Sequence, residues 1–393
     1  MDETAARVLA AVRQDRVAAL ALDLVRIRSY TGETREATER FIVECQDLGL
    51  QVQRFDDYPS TPVVVARLPG AGGGPTLELN GHMDTVPLEH EPPRIHDGVL
   101  SGRGATDMKG GVACTLEAVR ALQDAGVRLR GDLLVSTHGL HELPAGHGED
   151  LIARVRRGIH GDAVLIPEIT EVGSTKLPVI GLGAGMFSIT VSRPGQVWHE
   201  TSAPAGTPHP LLAAALLVRL LDERNRELAQ HPLPHVGPES VFVGEVHGGD
   251  FYNRLPTHAT VVGTRRWGPD ASFEAVRVEL FALCKRVEEQ TGTTLEVDFR
   301  KTRDGFRCAE DAPLVRALQT AYGQVTGGSL PFAGMRTVGD ASVFYSEGGV
   351  PALYHGPQGT GHHGDYEQVS LAELERASRV LALAALDFCG AAG

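Results

Sequence analysis

Apolar residues recur at helical spacing over residues 16–28, where Val17, Leu20, Leu24 and Ile27 share one face, so an amphipathic helix is expected there. A second helix is expected over 33–48, stopped by Gly49. Extended runs follow at 50–55, 63–68 and 76–80. Beyond them a helix over 112–127, a strand over 132–137, a helix over 148–155 and a strand over 162–166 alternate. Such alternation predicts a layered α/β domain whose chemistry collects at strand ends along one sheet edge.

The pattern changes near Gly181. A strand over 187–191, a helix over 210–228, strands over 240–246 and 258–264, a helix over 272–291 and a strand over 294–299 give the split order of a small α+β sandwich. That order places an inserted domain at 181–300. Residues 1–180 and 301–393 then form the main domain, completed by a helix over 312–322, a strand over 352–354 and a helix over 371–388.

Charge narrows the partners. A net charge of −13 argues against nucleic acid and anionic membrane, both of which select basic surfaces. The most apolar helix, near 211–221, carries Arg219 and falls well short of the ~18 apolar residues of a membrane span. Cys45, Cys114, Cys284, Cys308 and Cys389 are dispersed and odd in number, which reads as reduced thiols in a cytoplasmic protein. The first residues lack the basic start and apolar core of a secretory signal.

Two stretches carry candidate chemistry. LELNGHMDTVP at 77–87 delivers His82 at a strand end with Asp84 two residues on, expected on the same strand face. A metal-ligating imidazole is commonly held by a carboxylate on its second nitrogen. One histidine among 16 carries little weight alone. SGRGATDMKGG at 101–111 then puts Asp107 in a glycine-flanked turn before a helix, where backbone can approach a cation closely.

Together these two motifs resemble the di-zinc amidohydrolases that include acetylornithine deacetylase, succinyl-diaminopimelate desuccinylase, glutamate carboxypeptidase and the aminoacylases. The resemblance runs over nearly the whole chain. It implies a mixed-sheet, exopeptidase-like catalytic domain interrupted by a lid or dimerisation domain, and a homodimer in many members. It implies two Zn2+ ions, for which Co2+ or Mn2+ could substitute on the same donors. Asp107 is the implied bridge, followed by a cis peptide bond to Met108; His82 serves one ion and Asp84 supports it. Glu168, after the strand ending DAVLIPEIT, matches a further acidic ligand. Near the C-terminus, GPQGTGHHGDYE at 356–367 matches the last ligand; the interval to Glu367 favours His363, with His362 as competitor.

One position departs from the family. Members carry two adjacent glutamates after the strand at 132–137, the first a general base and the second a ligand. Here the chain reads His141-Glu142. An ungapped register puts His141 at the base position and Glu142 at the ligand position. The other register makes Glu142 the base and leaves Leu143 where a ligand is needed. An imidazole titrates near neutrality, so His141 is a chemically reasonable proton acceptor.

The inserted domain supplies the remaining candidates. His199, in GQVWHETS at 195–202, is the nearest match to a lid histidine that stabilises the oxyanion, although its neighbours differ from the family pattern. Asn253 and, 13 residues later, Arg266 match positions that touch substrate; Arg265 should point to the opposite strand face. Arg336 is a further candidate for a carboxylate. The implied activity is hydrolysis of the amide of an N-acyl amino acid carrying a free carboxylate. A dipeptidase or carboxypeptidase is the neighbouring alternative, and the altered base position also admits a weakly active metal-containing binding protein.

Overall fold

The strands of a single sheet, the inner ones buried on both faces, form the centre of the larger of two units. In the computed structural model, which describes residues 2–392, these strands are β1 (Gln51–Phe55), β2 (Val63–Leu68), β3 (Leu77–His82), β4 (Leu133–His138), β5 (Ala163–Ile166) and β6 (Ala352–Tyr354). They make one six-stranded sheet in the order β1-β2-β4-β3-β5-β6. β3 runs parallel to β4 and β5, and β5 parallel to β6, while β1 and β2 are antiparallel additions at one side. Every residue of β3, β4 and β5 is buried, as expected of strands covered on both faces. Their carboxyl ends share one edge, the usual place for a ligand in such a sheet.

Helices Gln14–Arg26, Lys109–Asp124, Pro313–Thr326 and Leu371–Cys389 share a single core with this sheet, in which Leu24, Leu116, Leu318 and Leu381 join Leu77, Leu79, Val135 and Leu165. Truncating one such leucine to alanine costs about 2–5 kcal/mol. A further helix, Glu3–Ala11, buries Ala5 and Val8. Its start is set by capping, with the Asp2 carboxylate accepting the Ala5 N–H at 2.7 Å.

Two glycines let the backbone close around the strand ends. A Cβ at Gly81 would lie 2.8 Å from Met108 Cε, and one at Gly111 would lie 1.9 Å from the Pro167 carbonyl oxygen. The turn carrying Asp107 therefore sits directly against β3, and the following helix against the segment leading to Glu168. A small antiparallel sheet completes the edge. It orders Gly359–Thr360, Gln368–Ser370, Val99–Ser101 and Arg94–His96, and thereby brings the loop holding His363 beside the loop holding Asp107.

The second unit comprises Ile180–Phe306 with Gly334–Val338. Its chain order is strand, helix, strand, strand, helix, strand: Gly183–Ser192, Pro210–Ala229, Ser240–Gly248, His258–Trp267, Phe273–Thr291 and Thr294–Arg303. The four strands form one antiparallel sheet. Alternate residues of its central strands are buried, and Phe187, Ile189, Val191 and Val261 pack with Leu217, Leu221 and Leu280 of the helices. The third of these strands runs three residues past the expected end at 264, because Arg265 is buried against Glu239 at 2.8 Å and Trp267 is fully enclosed. Among the described residues no helix is long and apolar enough to cross a membrane.

Candidate metal centre

His82 ends β3 directly opposite His138 at the end of β4, and Glu168 follows β5 by two residues. The strand stops at His82, so His82 and Asp84 do not share a strand face as the spacing suggested. The chain turns, and His82 Nδ1 donates to the Asp84 main-chain oxygen at 2.9 Å, with the carboxylate more distant at 3.5 Å. Asp84 spends its other oxygen on the next loop: Oδ2 accepts the N–H groups of His141 at 3.0 Å and Glu142 at 2.9 Å.

That loop meets two distant segments. His363 Nε2 lies 3.2 Å from Asp107 Oδ2 and 3.1 Å from Glu142 Oε1, while the other Asp107 oxygen, Oδ1, lies 3.2 Å from His82 Nε2. Asp107 thus presents one oxygen to each of two donor groups. His82, Asp107 and Glu142 offer atoms all within 4.8 Å of one another, and so do His82, His141 and Glu168. It is His363, held at φ 57°, whose ring meets Asp107 and Glu142; the His362 ring stands 5.8 Å from it. The Asp107–Met108 peptide bond is cis.

These contacts suit a cation. With His82 Nδ1–H committed to a carbonyl, its neutral Nε2 would face a carboxylate oxygen lone pair to lone pair, and only a proton or a cation relieves that. His363 Nε2 faces two carboxylates in the same way. Around a four-coordinate zinc with bonds of about 2.1 Å, ligand atoms stand roughly 3.4 Å apart, close to the spacings found. Glu168 Oε2 is buried with no hydrogen-bond partner among the described residues. Oxygen and imidazole donors in this mixture fit zinc, manganese or cobalt.

The ionisable groups act strongly on one another through these same contacts. Burial works against a charged His82, but the Asp107 and Asp84 carboxylates outweigh it and raise its pKa well above the ordinary value. The Asp107 and Glu142 carboxylates bonded to His363 raise that imidazole to about 10. Burial pushes Asp107 up, yet the bonds from His363 and His82 leave its carboxyl well below the usual range. Burial raises Glu168, with the neighbouring imidazoles only partly offsetting it.

A model of peptidase family M20/M25/M40 matches residues 79–387. The chain belongs to this family. A succinyl-diaminopimelate desuccinylase of Methylobacterium radiotolerans is 30% identical over 384 residues, spanning 92% of this chain and 94% of its own. The aminopeptidase PepT of Bacillus cereus superposes with a TM-score of 0.82 at 18% identity, over 97% of this chain and 100% of that one. A Bacillus subtilis protein described as a dinuclear metal-binding peptidase of family M20 superposes with a TM-score of 0.71 at 17% identity, over 95% and 98%. The two structures show a shared fold. As a member of family M20, the chain is a metal-dependent hydrolase of amide bonds.

Two features of this M20 chain are not evident from its motifs. The His141 ring stacks on His82 at 4.0 Å between centroids, with Nε2 4.0 Å from Glu168 Oε1 and Nδ1 2.9 Å from Asp340 Oδ1. The other Asp340 oxygen lies 3.0 Å from His138 Nε2, so one buried carboxylate stands between two imidazoles. Burial disfavours the charged form of His141, but Asp340 overrides it and lifts the pKa to about 9, a value that positive charge held by the neighbouring donors would lower. Glu367, noticed in the sequence for its interval from His363, accepts from Asp107 N at 3.0 Å. Asp340 gave no signal, because it opens a four-residue helix too short to show periodicity, far along the chain from either histidine.

The second unit brings its candidates together in pairs. The Asn253 side-chain nitrogen lies 2.9 Å from His199 Nε2, across the short pairing of Trp198–His199 with Arg254–Leu255. Arg266 Nη1 donates to the Arg336 carbonyl oxygen. The Arg336 guanidinium donates to Pro238 O at 2.8 Å and to Val236 O and Ser240 Oγ, each at 3.3 Å. Much of the Arg336 guanidinium, a candidate for a substrate carboxylate, is therefore engaged in holding the loop at Val236–Ser240.

Proposed function

We propose that this protein removes the acyl group from an N-acyl amino acid, with two divalent cations, zinc foremost, held by His82, Asp107, Glu142, Glu168 and His363. The observation that carries this reading is the split of Asp107, one oxygen toward His82 and the other toward His363, which also meets Glu142. When bound, such cations polarise a carbonyl and make water acidic enough to serve as nucleophile near neutral pH.

The chain's own groups do the rest. His141 Nε2 takes a proton from the attacking water as its oxygen bonds to the carbonyl carbon, and returns the proton to the amine nitrogen as the C–N bond breaks. Asp84 fixes the backbone of the loop that presents His141 and Glu142. On the resemblance of their motifs, His199 donates to the developing oxyanion, Asn253 contacts the substrate, and Arg266 and Arg336 turn their remaining N–H donors to its carboxylate. The same resemblance makes residues 181–300 a lid or dimerisation domain. Five buried cysteines, none in a disulfide, support a reducing, cytoplasmic setting.

The test is hydrolysis of a panel of N-acetyl and N-succinyl amino acids and of dipeptides, with zinc or cobalt supplied, by the wild type and His141→Ala. The account expects an N-acyl amino acid to be the best substrate and the variant to lose about 10²–10⁴ in kcat. Preference for dipeptides would move the reading to a dipeptidase. Unchanged turnover by His141→Ala would remove the base assignment.

A further inference from the structure

We infer that Asp340 is the positioning carboxylate of His141, holding its imidazole as the Nδ1–H tautomer with the Nε2 lone pair turned toward Glu168 and the cation cluster. This rests on the reading of His141 as proton acceptor. A glutamate at the base position can accept a proton on either oxygen. An imidazole accepts on one nitrogen only, so a histidine there needs something to choose the nitrogen.

The surroundings make that choice. Stacking on His82, with the rings 5° from parallel, leaves the His141 ring two orientations related by a flip about its bond to Cβ. Asp340 distinguishes them. Its Oδ1 lies 2.9 Å from Nδ1, and an ionised carboxylate can only accept, so Nδ1 carries the proton. Burial opposes ionisation of Asp340, but His141 and His138 beside it outweigh burial and keep its carboxyl well below the ordinary range. The carboxylate is itself fixed. It is fully buried at the start of a short helix, Asp340–Val343, whose next N–H donates to the Tyr354 hydroxyl at 2.9 Å. With Nδ1 directed to Asp340, Nε2 is the nitrogen that lies 4.0 Å from Glu168 Oε1.

The experiment compares wild type, Asp340→Asn, Asp340→Ala and His141→Gln as zinc-loaded proteins, with zinc content measured in each. Imidazole nitrogen spectra, in which the His141 signals are those missing from His141→Gln, report the tautomer. The wild type should show a protonated Nδ1 and a bare Nε2. The Asp340 variants should lose that single tautomer and about 100-fold or more in kcat, with KM changed little and zinc retained. A wild-type His141 protonated on Nε2 overturns the inference, as do Asp340 variants that keep both tautomer and kcat. If His141→Gln keeps full activity, the base reading falls while the wild-type spectrum still decides the role of Asp340. Should Asp340→Ala fold poorly, Asp340→Asn and the wild-type spectrum carry the decision.

Discussion

The Glu367 carboxylate accepts the main-chain N–H of Asp107 at 3.0 Å. The same oxygen takes Thr106 N at 2.9 Å, and the other takes Gly104 N at 3.0 Å and Arg103 Nη1 at 2.9 Å. One buried side chain from the segment after His363 thus shapes the turn that presents Asp107, locking two cation-donor loops to each other. In Glu367→Gln an amide NH2 would face backbone donors, leaving buried groups unpaired at a cost of about 1–3 kcal/mol. The variant should melt lower and lose its cations faster on dialysis, read by elemental analysis. Wild-type retention would show that the turn holds its shape without this carboxylate.

Asp84 does a similar service for the other loop. Its Oδ2 accepts both amides at His141 and Glu142; burial pushes the carboxyl up, but the neighbouring His82 imidazole outweighs it and holds the pKa down at about 2. Asp84→Ala removes the acceptor of both amides. Losing those two bonds should displace the base and one cation donor together, so kcat should fall about 100-fold or more while KM changes less. A variant with wild-type kcat would leave Asp84 a purely structural residue.

Acid stability should depend on His355. It is fully buried, its Nε2 accepts from Arg376 Nη1 at 3.0 Å, and the Tyr322 ring packs edge-on against it. Burial first, and then the Arg376 charge, push its pKa down to about 3. Between pH 6.5 and 3 the unfolded chain therefore binds a proton that the folded chain does not. Its contribution is complete above about pH 6.5 and is lost as pH falls, at about 1.4 kcal/mol per pH unit. Denaturation midpoints of wild type and His355→Gln should keep a constant gap above pH 6.5, with the wild type losing ground below it. Parallel curves across pH 4–8 would contradict this.

What could be read from sequence follows from where each signal lies. The α/β sheet and the sandwich insertion announce themselves in apolar periodicity, as at β5 and the strand Gly183–Ser192. His82, Asp107, Glu142, Glu168 and His363 could be named as candidate ligands because the stretches at 77–87 and 101–111 resemble the di-zinc amidohydrolases, and that resemblance implies the others. Glu367 could be placed by its interval from His363, but its hold on the Asp107 turn, like the whole role of Asp340, acts through long-range hydrogen bonds, which leave no local trace. The engagement of Arg336 was hidden for the same reason: its acceptors belong to the loop at Val236–Ser240, and the segment Gly334–Val338 packs in the second unit, apart from its neighbours in sequence.

Cation content bears most directly on the whole account. Elemental analysis of the wild type, Glu142→Ala and His363→Ala after equilibration with zinc and removal of the excess should give near two ions per chain in the wild type, with hydrolysis of an N-acyl amino acid. Each variant should fall to about one, because Asp107, Glu142 and His363 share one of the two proposed sites. One ion or none in the wild type, or two retained by Glu142→Ala, would contradict the ligand set proposed here.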